Sequence, residues 1–327
     1  RAQTGSRRSK FSGFSDIFSR PHAPHIQASE IVFTPLRARG YHCAPTPSKK
    51  TIDPAMPFIQ TRTLNTYFEM AGSGVPLLVL SGTGGDLRKK PTIMDSPLTA
   101  GFNVISYDQR GLGQSEKPAN GYTMAAYAED AAALMDALEL ESAHVLGLSF
   151  GGMVAQEFAL AYPERVKYLA LFCTSPGGAG GASYPLDELD DLDLQARAKA
   201  MLQLGDTRID DAIIGAHPEL VERTMARLDR SEFAHEDNHA RGISGQLSAR
   251  KAHDCWARLE NITCPVWLAG GRFDGIARPQ SMENMAARLP DATLKFYDGG
   301  HLFMVQDPEV YTDLAGFFRS TPAGGAP

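Results

Sequence analysis

The sequence predicts an α/β protein, with a mostly parallel β-sheet, helices on both faces and a block of helices inserted late in the chain. Short apolar runs alternate with helix-patterned segments from residue 58 onward, which is typical of a parallel sheet joined by crossover helices. Some runs, such as VPLLVL at 75–80, are apolar at consecutive positions and indicate strands buried on both faces. Between residues 176 and 255 the alternation stops, and helical patterns follow one another. These three observations define the fold class.

The first predicted element is a hairpin of two short strands in FIQTRTLNTYFEM, with its turn near Leu64-Asn65. Thr123 is a good N-cap for a helix over 122–140, because its hydroxyl can accept a hydrogen bond from an amide of the first turn. Pro279 suits the first turn of a later helix. In order, the remaining strands are predicted at 75–80, 102–108, 143–149, 166–173, 264–271 and 292–298, and the remaining helices at 150–161, 278–289 and 307–320.

Composition restricts the possible partners. The 327 residues are 43% hydrophobic and 21% charged, as in an ordinary globular protein, and the net charge of −6 argues against a nucleic-acid partner. No run approaches the roughly 18–20 apolar residues of a membrane span. The composition leaves the oligomeric state open.

No cofactor and no metal are predicted. The cysteines (Cys43, Cys173, Cys255 and Cys264) form no C-x-x-C pair and have no zinc-type spacing with histidine, so they are expected to be reduced thiols, with Cys173 buried. The glycine-rich SGTGG at 81–85 lacks the Lys-Ser/Thr ending of a P-loop and the spacing of a dinucleotide fingerprint.

The first 55 residues differ from the rest of the chain. They contain nine Lys or Arg against three Asp or Glu and are rich in Ser and Pro, a composition that buries too little apolar surface to fold. We predict a disordered extension, with an organelle transit peptide as the alternative. The expected organisation is an extension at 1–55, a core at 56–175 and 256–327, and a helical lid at 176–255. The expected location is cytoplasmic, or organellar if the extension is a transit peptide.

The chemistry centres on a serine at a junction. Gly147-Leu148-Ser149-Phe150-Gly151 fits the pattern G-x-S-x-G between a predicted strand and a predicted helix. A sharp strand-to-helix turn exposes such a serine in a strained backbone conformation, and glycine is needed two residues before and after it because neighbouring chains pass close by. We therefore predict that Ser149 is a nucleophile.

A serine hydroxyl needs a general base, and that base needs an acid to orient it. In folds of this kind the chain order is Ser, acid, His. Asp274 follows the next-to-last predicted strand in GGRFDGIARP, and His301 follows the last one in YDGGHLFMVQDP. Asp298 is a rival for the acid. His144 begins the strand that leads to Ser149, at its wrong end, and is predicted to be structural.

An acyl-transfer reaction also needs two N–H donors for the oxyanion. The first is predicted to be the amide of Phe150, at the start of its helix. The second is expected from SGTGG, with Thr83 preferred and Gly82 as the rival. Gly82 and Gly84 are predicted to face the substrate.

On these motifs the chain resembles the α/β-hydrolase superfamily over about residues 58–320. YDQRGLGQS at 107–115 is similar to the superfamily's D-x-R-G-x-G-x-S loop, with Asp108 and Arg110 at motif positions, and we interpret it as structural support. LSGTGGDL and GLSFGGMVAQ resemble 3-oxoadipate enol-lactonases and small esterases. Ser81-Gly82 departs from the His-Gly that many members carry at the oxyanion loop.

The resemblance implies a serine hydrolase of a small ester or lactone. The alternatives are a hydrolase of carbon–carbon bonds in ring-fission products and a receptor-like binding protein on the same fold. Substrate choice is expected to be set by the lid, where several arginines are candidates to meet an anionic substrate: Arg197, Arg208, Arg223 and Arg227.

Overall fold

The computed structural model describes residues 57–229, 233 and 235–320. The predictions for residues 1–55, including the transit peptide and the thiol Cys43, lie outside these residues. The strands, in chain order, are β1 (Phe58–Gln60), β2 (Asn65–Ala71), β3 (Val75–Leu80), β4 (Phe102–Tyr107), β5 (Ala143–Leu148), β6 (Val166–Phe172), β7 (Val266–Gly271) and β8 (Ala292–Tyr297). They form a single sheet in the order β1-β2-β4-β3-β5-β6-β7-β8. The pairs β1–β2 and β2–β4 are antiparallel and the others are parallel.

The helices of the described residues match the prediction closely outside the helical block. They are α1 (Met124–Ala137), α2 (Phe150–Ala161), α3 (Leu194–Gly205), α4 (Asp211–Ala216), α5 (Glu219–Leu228), α6 (His239–Lys251), α7 (Pro279–Arg288), α8 (Phe303–Gln306) and α9 (Glu309–Arg319). Thr123 caps α1, as predicted, by accepting a hydrogen bond from the Ala126 amide. The single turn of α8 was not predicted. No helix in this part of the chain has both the length and the apolar character that crossing a bilayer requires.

Strand β3 lies at the centre of the sheet and is buried on both faces. Leu78 and Leu80 pack into an apolar cluster with α1 and α2, whereas Leu77 and Val79 pack into a second cluster with α9. All four side chains are almost completely inaccessible to solvent. Each contributes roughly 1.5–3 kcal/mol of hydrophobic stabilisation. Because both faces of the strand are buried, its sequence is a continuous apolar run.

The predicted hairpin forms, with its turn next to Leu64-Asn65. The loop is residues 61–64, and Asn65 is already the first residue of β2, paired with Gln60. The Thr61 side chain closes the loop, since its hydroxyl donates to the Leu64 carbonyl at 2.9 Å and accepts from the Leu64 amide at 3.0 Å. The turn therefore lies next to Leu64-Asn65, as predicted, and a threonine side chain makes the local closure without Asn or Gly.

The helical insertion, residues 176–255, contains α3 to α6. Its last helix, α6, lies directly on the core. A Cβ atom on Gly242 would be 1.8 Å from the Gly111 carbonyl oxygen, and one on Gly245 would be 2.3 Å from the Tyr122 ring. Only glycine permits this approach, so α6 is held close to the loop that follows β4.

Candidate active site

Ser149 occupies a strained turn between β5 and α2. Its backbone has φ 52° and ψ −113°, in the region that residues with a side chain rarely adopt. Two contacts hold the turn. The Ser149 amide donates to the Phe172 carbonyl of β6 at 2.9 Å, and the Ser149 carbonyl accepts from the Thr174 hydroxyl at 2.8 Å. Strain of this kind persists only where the surroundings enforce it, and it is common at functional sites.

The glycines around Ser149 are required by space, as predicted. A Cβ atom on Gly151 would lie 2.0 Å from the Leu80 carbonyl oxygen, and one on Gly147 would lie 2.5 Å from the Gly151 carbonyl oxygen. Helix α2 thus begins in contact with the end of β3. This contact directs the Ser149 side chain to the carboxyl edge of the sheet, where ligands of open α/β sheets bind.

Three predicted side chains meet at this edge in a hydrogen-bonded line. His301 Nε2 lies 3.0 Å from Ser149 Oγ, and His301 Nδ1 lies 2.8 Å from Asp274 Oδ2. The three residues follow β5, β7 and β8, at strand ends that lie on the same edge. Asp298, the rival acid, is exposed and pairs instead with Arg208 at 3.0 Å.

Asp274 is held rigidly and away from solvent. Its other carboxylate oxygen, Oδ1, accepts hydrogen bonds from the amides of Ile276 at 2.8 Å and Ala277 at 2.9 Å. The side chain has no exposed surface, and that of His301 is 12% exposed. Asp274 therefore presents one oxygen to the loop and one to His301, which fixes the orientation of the imidazole.

His144, predicted to be structural, lies at the opposite end of β5. Its ring stacks on Phe318 with centroids 4.8 Å apart and is nearly inaccessible to solvent. Burial lowers the pKa of His144 to about 4. The residue is a neutral part of the core at pH 7.

The loop after β3 surrounds the serine from the other side. Gln109 Nε2 donates to the Ser81 carbonyl at 2.7 Å, and the Gly85 amide donates to the Gly82 carbonyl at 3.1 Å. A Cβ atom on Gly82 would lie 3.6 Å from Ser149 Cβ, so this glycine borders the serine directly. The loop is therefore held by Gln109, from the loop that follows β4, and by a hydrogen bond between two of its own residues.

A contact that was not predicted joins this loop to the helical insertion. The Gly84 amide donates to Gln246 Oε1 of α6 at 2.8 Å. Gly84 lines the cavity, but its N–H is occupied by this bond. Among the described residues no acceptor bonds to the amides of Phe150 or Thr83, so the geometry keeps both as candidate oxyanion donors, with Gly82 still the rival of Thr83.

Sequence reasoning missed Gln246, although one signal was present. Gly242 and Gly245 are spaced by three residues in RGISGQLSAR, which is typical of a helix face in close contact with backbone. Such spacing indicates that α6 lies on the core, but it does not identify which loop the neighbouring glutamine reaches.

A cavity of about 340 Å³ opens over Ser149 and His301. Its walls come from the loop after β3, from the helical insertion and from the segment after His301. The insertion contributes Leu186, Arg197, Met201, Arg227, Leu228, His239, Ile243 and Leu247. Residues His239, Ile243 and Leu247 recur every four positions and so form one face of α6.

Cys173 lines the same cavity next to Ser149. It is a buried free thiol, as predicted. Burial, together with the negative charge of Asp274, raises the pKa of this thiol well above its usual range. Cys173 is therefore protonated at neutral pH and is a poor nucleophile beside Ser149. Within the described residues no cluster of His, Cys, Asp and Glu side chains is arranged to hold a metal ion.

Comparison with known proteins places this fold in a family. The family model for the alpha/beta hydrolase fold matches residues 75–308. The RutD protein of Azorhizobium caulinodans, a proposed carbamate hydrolase, is 30% identical over 270 residues, which cover 79% of this chain and 96% of that protein. The chain therefore belongs to the α/β-hydrolase family, and it is a hydrolase.

Solved structures agree with this assignment. The structure of Est816, described as an N-acyl homoserine lactone degrading enzyme, superposes with a TM-score of 0.63 at 25% identity, covering 80% of this chain and all of Est816. The enol-lactonase from Burkholderia xenovorans LB400 gives a TM-score of 0.65 at 23% identity, covering 81% of this chain and all of that one. At 23% identity, the similarity to the enol-lactonase supports the fold alone.

Proposed function

We propose that the protein hydrolyses a small carboxylic ester or lactone through an acyl-enzyme on Ser149. The observation that carries the proposal is the hydrogen-bonded line from Ser149 Oγ through His301 to Asp274. This arrangement supplies a nucleophile, a base within reach of its proton and a carboxylate that orients the base. The name of Est816, a lactone-degrading enzyme, is consistent with this substrate class.

The reaction follows from these positions. Ser149 Oγ attacks the carbonyl carbon while His301 Nε2 takes the hydroxyl proton, and Asp274 stabilises the imidazolium that forms. The oxyanion is bound by the amides of Phe150 and Thr83. When the ester C–O bond breaks, His301 returns the proton to the leaving oxygen. Water, activated by His301, then attacks the acyl-enzyme and releases the acid and free Ser149.

The charge of the cavity favours a substrate that carries a carboxylate. Lys89, Arg197 and Arg227 line the cavity, and of these Arg197 is already paired with Asp190 at 2.7 Å. Asp86 is the acidic side chain among the described lining residues, and it is bonded to Arg88 at 2.6 Å. A negative group on the substrate would therefore be attracted to the walls of the insertion. We infer a preference for a singly charged anionic ester over a neutral one of similar size.

That preference can be measured with two esters of similar size, p-nitrophenyl butyrate and mono-p-nitrophenyl succinate. We expect the anionic ester to have the higher kcat/KM. Arg227→Glu should lower the ratio of the two kcat/KM values, anionic over neutral, about two- to fivefold, as for an exposed charge. An unchanged ratio in Arg227→Glu would contradict the inference about charge, but not the proposed acyl-enzyme.

The proposed function is tested with a substrate panel. Wild-type protein and Ser149→Ala are incubated with p-nitrophenyl acetate, 3-oxoadipate enol-lactone, a carbamate and a vinylogous diketone. We expect turnover of the esters or lactone by the wild type and none above background by Ser149→Ala. Faster cleavage of the diketone would favour the carbon–carbon hydrolase instead. Labelling by a fluorophosphonate without turnover of any substrate would favour the receptor-like alternative.

A further inference from the structure

An arginine away from the active site is buried with one edge of its guanidinium empty. Arg250, near the end of α6, is only 6% exposed. Its Nη1 donates to the Tyr184 carbonyl at 2.6 Å. Its Nε and Nη2 are closed off from solvent, and neither has a hydrogen-bond partner among the described residues. No carboxylate in this part of the chain forms an ion pair with it.

The same fold contains a buried arginine whose Nε and Nη2 are both paired with a carboxylate. Arg110 Nε and Nη2 bind Asp130 Oδ2 and Oδ1 at 2.9 and 2.8 Å, with both side chains nearly inaccessible. Nε and Nη2 are the two donors that Arg250 leaves unused. This edge of a guanidinium matches two oxygens of a carboxylate or phosphate, which makes the pair planar and bidentate. Arg250 therefore has the same two donors as Arg110 but lacks the carboxylate that pairs with them.

The surrounding charges do not neutralise Arg250. Burial lowers its pKa to about 10, so it remains charged at neutral pH, while Asp187 and Asp274 act on it only from a distance. Asp187 is bonded to Lys251 at 2.7 Å, and Asp274 is bonded to His301. An uncompensated buried charge is costly, and proteins normally pair it.

Arg250 also lines a small cavity of about 140 Å³. This cavity is separate from the one over Ser149 and shares no lining residue with it. Ser175 and Ser183, whose hydroxyl oxygens lie 3.0 Å apart, also line this cavity, together with the exposed Lys251. His253, also on the wall, is neutral at pH 7 because burial lowers its pKa to about 4.

From this arrangement we propose that the cavity at Arg250 is a binding site for a small oxyanion, held by the guanidinium of Arg250, whose Nε and Nη2 lack a partner, with Ser183 and Lys251 beside it. A carboxylate, phosphate or sulfate has the pair of oxygens that these two donors match. The site is also linked to the active-site loop, since the Tyr184 amide donates to the Ile276 carbonyl at 2.8 Å and the Ile276 amide donates to Asp274.

The test is thermal unfolding of the full chain in an oxyanion-free buffer, with phosphate, sulfate and acetate titrated separately and chloride added to constant ionic strength. A ligand that binds only the folded state raises the Tm in a saturable way. We expect a rise of about 2–6 °C at saturation for at least one of these anions and none for chloride.

Variants locate the effect. Arg250→Met should abolish the saturable shift, and Arg250→Lys, which keeps the charge but loses the fork, should shift the half-saturation concentration upward at least tenfold. The matched control is Arg258→Met, which removes an exposed arginine that pairs with Glu157 and should retain the wild-type response. A shift that survives in both Arg250 variants, or an equal effect of chloride, would overturn the proposal. The absence of a saturable shift in the wild type would overturn it as well.

Discussion

Replacing Gln246 by Met should slow catalysis without abolishing it. Gln246 is fully buried on α6, and its Oε1 accepts the Gly84 amide at 2.8 Å. Methionine keeps the length of the side chain but offers no comparable acceptor. The loop that carries Thr83, the proposed oxyanion donor, therefore loses the bond that connects it to the helical insertion.

The size of the effect follows from this single hydrogen bond. Gly84 borders the cavity, so water can replace the lost partner, and the net contribution of such a bond is about 0.5–1.5 kcal/mol. If the bond stabilises the loop in the position that the transition state needs, its loss in Gln246→Met lowers kcat about two- to tenfold and changes KM little. The affinity for a trifluoromethyl ketone inhibitor, which forms the same oxyanion, should fall by the same factor.

The assay is steady-state hydrolysis of p-nitrophenyl acetate, with the concentration of active sites determined by fluorophosphonate titration. Normalising in this way separates slower turnover from a smaller folded fraction. Gln246→Glu keeps an oxygen acceptor and should recover most of the lost rate. Gln203→Met, which alters a half-buried glutamine bonded to Asp211, should behave as wild type. A normal kcat and normal inhibitor affinity in Gln246→Met would refute the reasoning.

Three further predictions concern catalysis, stability and pH. Asp274→Asn should lower kcat about 10³- to 10⁴-fold because it favours the wrong imidazole tautomer, whereas Asp298→Asn should stay near wild type in the same assay; equal losses would contradict the assignment of the acid. Asp130→Ala leaves Arg110 buried without its partner and should lower the free energy of unfolding by about 3–5 kcal/mol in urea titrations; a change under about 1 kcal/mol would refute it. His144 has a folded pKa of about 4, so below pH 6.5 the unfolded state binds the extra proton and stability falls. His144→Phe should remove up to about 2 kcal/mol of the stability lost between pH 7 and pH 5, and an unchanged pH dependence of unfolding would count against this.

Most of the fold was predictable because it depends on local patterns. Strands such as 75–80 and helices such as 150–161 appear where apolar periodicity predicts them, since each buried face must be apolar at a fixed spacing. The turn of the first hairpin lies where it was predicted, but its closure by the Thr61 side chain was not predicted. Local sequence identifies the turn, but not the residue that bonds across it.

In the candidate site, too, some residues were predictable from the sequence and some contacts were not. Ser149, Asp274 and His301 were predictable because the order of strands determines which loops share an edge of the sheet. The bond between Gln246 and Gly84 was not predictable, because it joins segments 162 residues apart. The lack of a partner for Arg250 Nε and Nη2 was not predictable either, because it depends on how the folded chain packs around them.

The central claim is an acyl-enzyme on Ser149, and rapid-quench mass spectrometry tests it most directly. The protein is mixed with p-nitrophenyl acetate, quenched in acid within the first turnover and digested. We predict a burst of p-nitrophenol matched by an acetyl group on the peptide that contains Ser149, retained in Cys173→Ala and absent in Ser149→Ala. Turnover without a Ser149 adduct, or acetylation of the neighbouring Cys173 instead, would contradict the account.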